Sequence, residues 1–562
     1  MFRVFSIPVR FFIALLIYFS WGPLAGGVVP APVPEFSSPA LIPYPSKVVR
    51  GAGEAGFRSV QVKVGPDVPG RDDLMKEIKD IFRTSGIQGS LNSGRAAEGA
   101  MTWELFPDAR MKGEGYDLSV GLGKATVRAG SFGGFFNALQ TLRQLVFNRE
   151  GEFAMPVVRI SDKPAFVLRG VMLDVGRYYM SPALIKEVMR RLSRYKINTL
   201  HLHLTDDPAW RMEVKKYPAL TDGAFHWKSR LPGRFYTQAQ LKDLTDYCAR
   251  LNIQVIPEID MPGHSQPFAR AMKTGMQTEK GVSILKDVVD EAVSLFPGRF
   301  FHMGSDEAHI SMKDFIPRMA EHIRGKGKEV VVWSPGGPHD KDSVLMCWGE
   351  NEAGARMDKN MKRIDSNGFY IDWADSQSGV YQVFFQQPCE VPQGDDKALG
   401  AIMPVWCDGN LSSERRVLEQ YPFYPCALTF AERVWRGGAT TRREYMAQLP
   451  PPGPAGWKEF REFEQRLAFH RDHFFQGVPF AYVKQADVAW SLVGPFDHRG
   501  KNDTSFEPER RIAPSYRDGD RILAWKKTPV YGAAVHVRHL FAMFNMHRNQ
   551  YRTDHWPTLM SR

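Results

Sequence analysis

Phe300-Phe301-His302-Met303-Gly304-Ser305-Asp306-Glu307-Ala308-His309 begins as a short apolar run with strand character. After a Gly-Ser pair it ends on two adjacent carboxylates and a histidine. Ionisable residues at the C-terminal end of a strand are where parallel α/β proteins carry their chemistry. Two neighbouring carboxylates repel each other, so the pair serves either a reaction or the N-terminus of the next helix. The pattern on either side decides between these uses.

Upstream of this stretch, residues 166–175, 199–205 and 254–259 read as strands, and 182–195, 238–251 and 284–296 have helical spacing. Downstream, a helix over 313–324 is followed by strands at 329–333, 344–348, 363–371 and 401–406. Eight strands, the early ones alternating with helices, predict an α/β fold: a closed (β/α)8 TIM barrel over residues 164–476. A doubly wound open sheet is the alternative. Against it, no strand runs into a GxGxxG turn, and polar residues recur at the ends of many strands.

Residues 47–163 predict a small α+β domain ahead of the barrel. It has a strand at 60–64, a helix over 72–85 with Leu74, Ile78 and Ile81 on one face, a hairpin of 116–120 with 125–129, and a helix over 131–146. Residues 28–46 are Pro-rich and read as an extended linker. In residues 1–27, Arg3 and Arg10 flank a short beginning, Phe11 to Trp21 is almost wholly apolar, and small residues follow. That is the order of a secretory signal peptide, and the apolar run is too short for a permanent span. An exported protein, periplasmic or secreted, with no stable membrane insertion is expected. Past a closing helix at 457–475, residues 477–562 predict a short β-rich segment with strands at 490–496 and 535–540.

The formal charge is +11, but the 73 Lys and Arg are interspersed with 62 Asp and Glu, which describes a solvated surface and no nucleic-acid face. The 5 cysteines lack paired spacing and imply neither a zinc site nor a disulfide framework.

The predicted strand ends carry Asp174 to Arg177, Asp206 and Asp207, Glu258 to His264, Asp306 and Glu307, Trp333, Trp348, Tyr370 to Asp372, and Trp406 to Asp408. In a barrel these ends share one face. Three tryptophans around one cavity make a flat-walled apolar box, and acids, an arginine and a tyrosine on its rim can bond hydroxyls, as a sugar ring requires. Cleaving a glycosidic bond needs an acid for the leaving oxygen and support for an oxocarbenium-like carbon. Glu307 is the candidate acid, and enclosure beside Asp306 is expected to raise its pKa. Strand alternation sends Asp306 and Glu307 to opposite faces unless the chain bends there. Metal-assisted hydrolysis is the rival, through His201, His203, Asp206, Asp207 and His264; no ligand set is complete, and satisfied core histidines are commoner.

Several long runs resemble the family 20 glycoside hydrolases, the β-N-acetylhexosaminidases: Arg169 to Arg177, Lys196 to Asp207, Trp210-Arg211, Pro257 to His264, His302 to Glu307 and Ala431 to Trp435. Glu114 to Leu118 and the helix after Gly134 extend the resemblance into the small domain. It covers roughly residues 41–475, with the motifs in order and at matching spacing. The resemblance implies a retaining, substrate-assisted reaction on terminal β-linked N-acetylglucosamine or N-acetylgalactosamine of a glycan, with no metal and no cofactor. Glu307 would be the acid and base, Asp306 would hold the acetamido N–H, and Tyr370 would donate to the acetamido oxygen. Trp333, Trp348 and Trp406 would wall the acetamido pocket, and Arg177, Asp372 and Asp408 would bind sugar hydroxyls. Asp206 and His264 would orient Glu307. Three positions depart from the family pattern: Ser305 where glycine is usual, Asp408 where glutamate is common, and Tyr178 in place of a common histidine. A carbohydrate-binding protein with a decayed site, and an endo-acting or disaccharide-releasing enzyme, are the alternative expectations.

Overall fold

The computed structural model describes residues 39–92, 97–149, 152–349, 357–371, 376–409, 411–438, 453–480, 482, 488–492, 512–518 and 521–524. The expected signal peptide, most of the linker and the strand expected at 535–540 lie outside the described residues.

Eight parallel strands close into a barrel. In chain order they are Leu168–Asp174, Thr199–His203, Gln254–Glu258, Phe300–His302, Glu329–Ser334, Val344–Cys347, Lys362–Asp365 and Ala398–Val405, and the eighth pairs with the first. The first, second, fourth, sixth and eighth are buried along their whole length. That is the signature of a parallel sheet covered by helices outside and filled by side chains inside. Leu168, Met172, Ile256, Val331, Met346, Ile364 and Ile402 belong to one apolar cluster, with Trp333 in it and Trp348 and Trp406 packed against it. Three of the described covering helices begin at side-chain caps, on Ser181, Thr237 and Thr278. Ser181 accepts from Leu184 N ahead of Pro182, and Thr237 and Gln240 form a reciprocal capping box.

Register determines what the barrel presents. His203 pairs with Asp174 on one side and with Glu258 on the other, and Glu258 pairs with His302. In-register residues of parallel strands point the same way, so four ionisable side chains share one level at the C-terminal ends of strands one to four. The seventh strand stops at Asp365, short of the expected 371, because Ser366 and Asn367 turn their N–H groups onto Cys347 O. Tyr370 therefore sits on a loop.

The preceding domain is an eight-stranded mixed sheet carrying the helices Arg71–Ser85 and Phe132–Leu145. The expected hairpin is present as Tyr116–Gly121 with Lys124–Ala129; Tyr116, Leu118 and Val120 are buried between exposed neighbours. Leu74, Ile78 and Ile81 face the core. The edge strand Lys47–Phe57 was not anticipated. Eight of its 11 residues are exposed and three are Gly51, Gly53 and Gly56, so it has no sustained alternating pattern to read. Buried polar links fasten this domain to the barrel. Arg169 pairs with Glu114 and donates to Lys196 O and Phe166 O, at 2.9 Å each. Asp162 takes Lys196 Nζ at 3.0 Å and Tyr116 Oη at 2.7 Å.

Toward the C-terminus, Val488–Leu492, Ile512–Asp518 and Arg521–Ala524 form a three-stranded antiparallel sheet. Among the described residues no helix is long and apolar enough to cross a membrane.

Candidate active site

The bend that the acid pair needs is built into the backbone. Regular strand ends at His302, and Gly304, Ser305 and Glu307 take φ values of 67°, 79° and 46°. At Gly304 a Cβ would lie 1.8 Å from Asp260 Oδ1, so only glycine fits. Ser305 is fully buried, its hydroxyl has no hydrogen-bond partner, and its left-handed backbone is one a glycine adopts without strain. The turn breaks alternation and brings both carboxyl groups to the barrel mouth.

Their environments differ. The Asp306 side chain sits next to Asp260 and Glu258, and its Oδ1 is buried with no hydrogen-bond partner. Burial, reinforced by the charges of Asp260 and Glu258, pushes its pKa up to about 8. Glu307 keeps 54% of its side chain exposed and lies 3.6 Å from His264 Nε2. His264 Nδ1 is bonded to Asp260 Oδ2 at 2.7 Å; that bond, followed by the interaction with Glu307, lifts the imidazole to about 11. The resulting cation holds Glu307 below the ordinary carboxylate range. The expected elevation of Glu307 is thus corrected: in the free protein the proton belongs to its neighbour, because Asp306 is enclosed and Glu307 stands at the rim beside an imidazolium.

Of the two residues expected to orient Glu307, His264 lies against it and is carried by Asp260. Asp206 Oδ2 instead accepts from His203 Nε2 at 2.9 Å and lies 3.1 Å from Arg177 Nη2. Arg177 is a hub: Nη1 reaches Asp174 Oδ2 at 3.1 Å, and Nε reaches Asp408 Oδ1 at 3.0 Å. Burial opposes its charge, but Asp174, Asp206 and Asp408 together hold its pKa well above the usual value. Of these three, Asp408 is the exposed one, with 69% of its side chain accessible.

Below this rim lies a buried carboxylate that sequence reasoning recorded only as a strand end. Glu258 accepts from Trp333 Nε1 at 2.7 Å and His203 Nδ1 at 2.7 Å, with His201 Nε2 at 2.9 Å and His302 Nδ1 at 3.2 Å. Burial works against a charge on His203, yet Glu258 and Asp206 outweigh it and keep the ring protonated. Burial dominates at His201 and pushes it down to about 4. A connected path therefore runs Trp333, Glu258, His203, Asp206, Arg177, Asp408. The in-register placement of His203 and Glu258, each at a strand's last residue, was the available signal for it.

Trp333 is the floor of the site at 1% exposure. Trp406 packs on it at 5.7 Å between centroids and carries the Arg177 guanidinium 4.8 Å from its ring. Half-buried Tyr370 lies 6.4 Å from Trp406, and Trp348 donates its indole N–H to Pro335 O at 2.8 Å. Asp372 lies outside the described residues. The histidines weighed as metal ligands do approach carboxylates: His201 lies with Glu258, beside His302, His203 with Asp206 and Asp260, and His264 with Asp260 and Asp306. Both nitrogens of His203 are engaged by Glu258 and Asp206, which leaves that ring no free lone pair to offer a metal.

The same chain matches known proteins along most of this architecture. The family description "Glycosyl hydrolase family 20, domain 2" fits residues 38–163, and "Glycosyl hydrolase family 20, catalytic domain" fits residues 166–281. A beta-hexosaminidase of Porphyromonas gingivalis is 31% identical over 434 residues, covering 64% of this chain and 53% of that protein. One from Akkermansia muciniphila is 28% identical over 450 residues, covering 66% and 87%. This chain spans 53%, 63% and 56% of three curated relatives, from Porphyromonas gingivalis, Vibrio furnissii and Cellulomonas fimi. Among solved structures, a Flavobacterium johnsoniae chitobiase superposes with a TM-score of 0.63 at 25% identity, covering 78% of this chain and 73% of that one. A mutant Streptomyces plicatus beta-hexosaminidase in complex with its product GlcNAc superposes at 0.66 and 24% identity, covering 80% and 97%, and supports the fold. Models of glycosyl hydrolase family 20 thus match residues 38–163 and 166–281 in the order in which the two domains follow one another.

Proposed function

We propose that the protein is an exported, exo-acting β-N-acetylhexosaminidase that removes terminal β-linked N-acetylglucosamine or N-acetylgalactosamine by a retaining, substrate-assisted reaction. The observation that carries this reading is the pairing of two unlike carboxyls. Asp306 is enclosed with one oxygen unbonded, and Glu307 is at the rim beside His264. An acetamido N–H bonded to Asp306 favours its carboxylate form, so binding lowers the Asp306 pKa. The pair already holds one proton at neutral pH, and Glu307 then carries it. The acetamido oxygen attacks C1 as the C1–O bond to the leaving group breaks, and Glu307 gives its proton to the departing oxygen. The oxazolinium positive charge is offset by Asp306, and Tyr370 donates to the acetamido oxygen in this reading. Water then attacks C1 and displaces the acetamido oxygen, one proton of the water returns to Glu307, and the sugar leaves with its configuration retained. Arg177 and Asp408 bind ring hydroxyls in this reading, and Trp406 and Trp348 flank the acetamido group. Export rests on Arg3, Arg10 and the apolar run Phe11 to Trp21.

A panel of 4-nitrophenyl β-glycosides tests the substrate class. Nitrophenol release is expected from the 2-acetamido gluco or galacto sugars, with the 2-hydroxy counterparts slower by at least roughly 10³-fold because they lack the nucleophile. Equal rates on 2-hydroxy sugars would overturn the reading.

A further inference from the structure

The connection from Leu204 to Thr237, between the second barrel strand and its helix, is far longer than the roughly two to six residues usual there. It holds two large apolar side chains in the open, Trp227 at 37% and Leu231 at 38% exposure. The other large exposed apolar residues among those described are Val49, Phe106 and Leu122 in the preceding domain, and Val167 at the opposite end of the barrel. Trp227 and Leu231 thus stand apart by lying on the catalytic side.

The loop is fixed in place. Arg211 donates to Arg230 O, Leu231 O and Arg234 O at 2.6, 2.9 and 2.8 Å. The buried Arg230 guanidinium donates to Cys407 O and Gly409 O, at 2.9 Å each, and to Asp408 O. Trp227 N donates to Pro208 O at 2.9 Å, and its Nε1 donates to Gln266 Oε1 at 3.3 Å. Gln266 follows His264 by two residues, and its own N–H bonds Asp207 Oδ1 at 3.2 Å. Gly263 in that segment packs on Asp306 O. The indole is therefore held by its polar edge to the segment that carries His264, on a loop tied to the one that carries Asp408, and the residue remains 37% exposed.

We propose that Trp227 forms a leaving-group subsite, a platform on which the pyranose next to the scissile bond stacks its C–H face. This deepens the hydrolase reading and rests on it. A partly exposed flat ring on the catalytic side of the barrel, tied to the segment that carries His264, gives an oligosaccharide a second hold. The occupant is a sugar residue of the substrate, contributing binding energy that a small alkyl group cannot.

The test compares kcat/KM for the β-1,4-linked disaccharide of N-acetylglucosamine with that for methyl N-acetyl-β-glucosaminide, by measuring released sugar. Both leaving groups are alcohols, so demand on Glu307 is similar. In Trp227→Ala the ratio of disaccharide to methyl glycoside is expected to fall on the order of tenfold, mainly through KM, and Trp227→Phe to restore most of it. An unchanged ratio, with turnover of both substrates, would overturn the subsite and leave the hydrolase intact. No turnover of either substrate by the wild-type protein would overturn both.

Discussion

Glu307→Gln is expected to lower kcat/KM on a methyl or oligosaccharide N-acetyl-β-glucosaminide by roughly 10² to 10⁴-fold, the usual scale of a positioned general acid. Glutamine keeps the shape beside His264 and has no proton to give. The loss depends on what must leave. A sugar or methoxide oxygen departs only with a proton, whereas 2,4-dinitrophenolate departs without one. The first step on the dinitrophenyl glycoside is therefore expected to survive in Glu307→Gln, with slow turnover set by the hydrolysis that needs Glu307 as base. Parallel rates across leaving groups measure this directly. Equal losses on all of them would show a structural effect, and wild-type activity would remove Glu307 from the reaction.

Asp306→Asn is expected to cost about 10² to 10³-fold, the scale of losing one preorganised electrostatic partner of a developing charge. Here the loss should be nearly independent of the leaving group, because Asp306 acts on the nucleophile. The pH profile adds a second signature. With Asp306 raised to about 8 and Glu307 lowered, the pair keeps one proton through neutral pH. As pH passes about 8 that proton is lost, no acid remains for the leaving oxygen, and kcat/KM falls. In Asp306→Asn the only proton is that of Glu307, which titrates below the ordinary carboxylate range, so the alkaline limb moves to lower pH. A limb that stays near its wild-type position in the variant would contradict this sharing of one proton.

The barrel was legible because its evidence is local. Apolar strands ending in polar residues recur at regular intervals, and helices with caps lie between them. The positions of Arg177, His264, Asp306, Glu307, Trp333, Trp348, Trp406 and Asp408 around one mouth follow from that topology. What the chain did not disclose depends on side-chain pairing across strands. Asp206 and Asp260 are equally acidic in sequence; only the three-dimensional placement gives His264 to Asp260 and leaves Asp206 to His203 and Arg177. Glu258 was visible as a strand end, but its neighbours Trp333, His203, His201 and His302 come from three other strands. The inverted charges of the acid pair arise from depth, since Asp306 is enclosed among carboxylates and Glu307 faces an imidazolium. The edge strand Lys47–Phe57 escaped notice because an exposed, glycine-bearing strand has no periodic apolar face.

A thiazoline fused across C1 and C2 of N-acetylglucosamine copies the bicyclic intermediate that an acetamido nucleophile would form and cannot be opened by the enzyme's water. Its inhibition constant against 4-nitrophenyl N-acetyl-β-glucosaminide is the most direct measurement of substrate assistance by Asp306 and Glu307. Competitive inhibition with a constant at least about 10²-fold below KM is expected, as for a transition-state-like ligand. Turnover of the acetamido substrate with no inhibition at thiazoline concentrations above KM would contradict it.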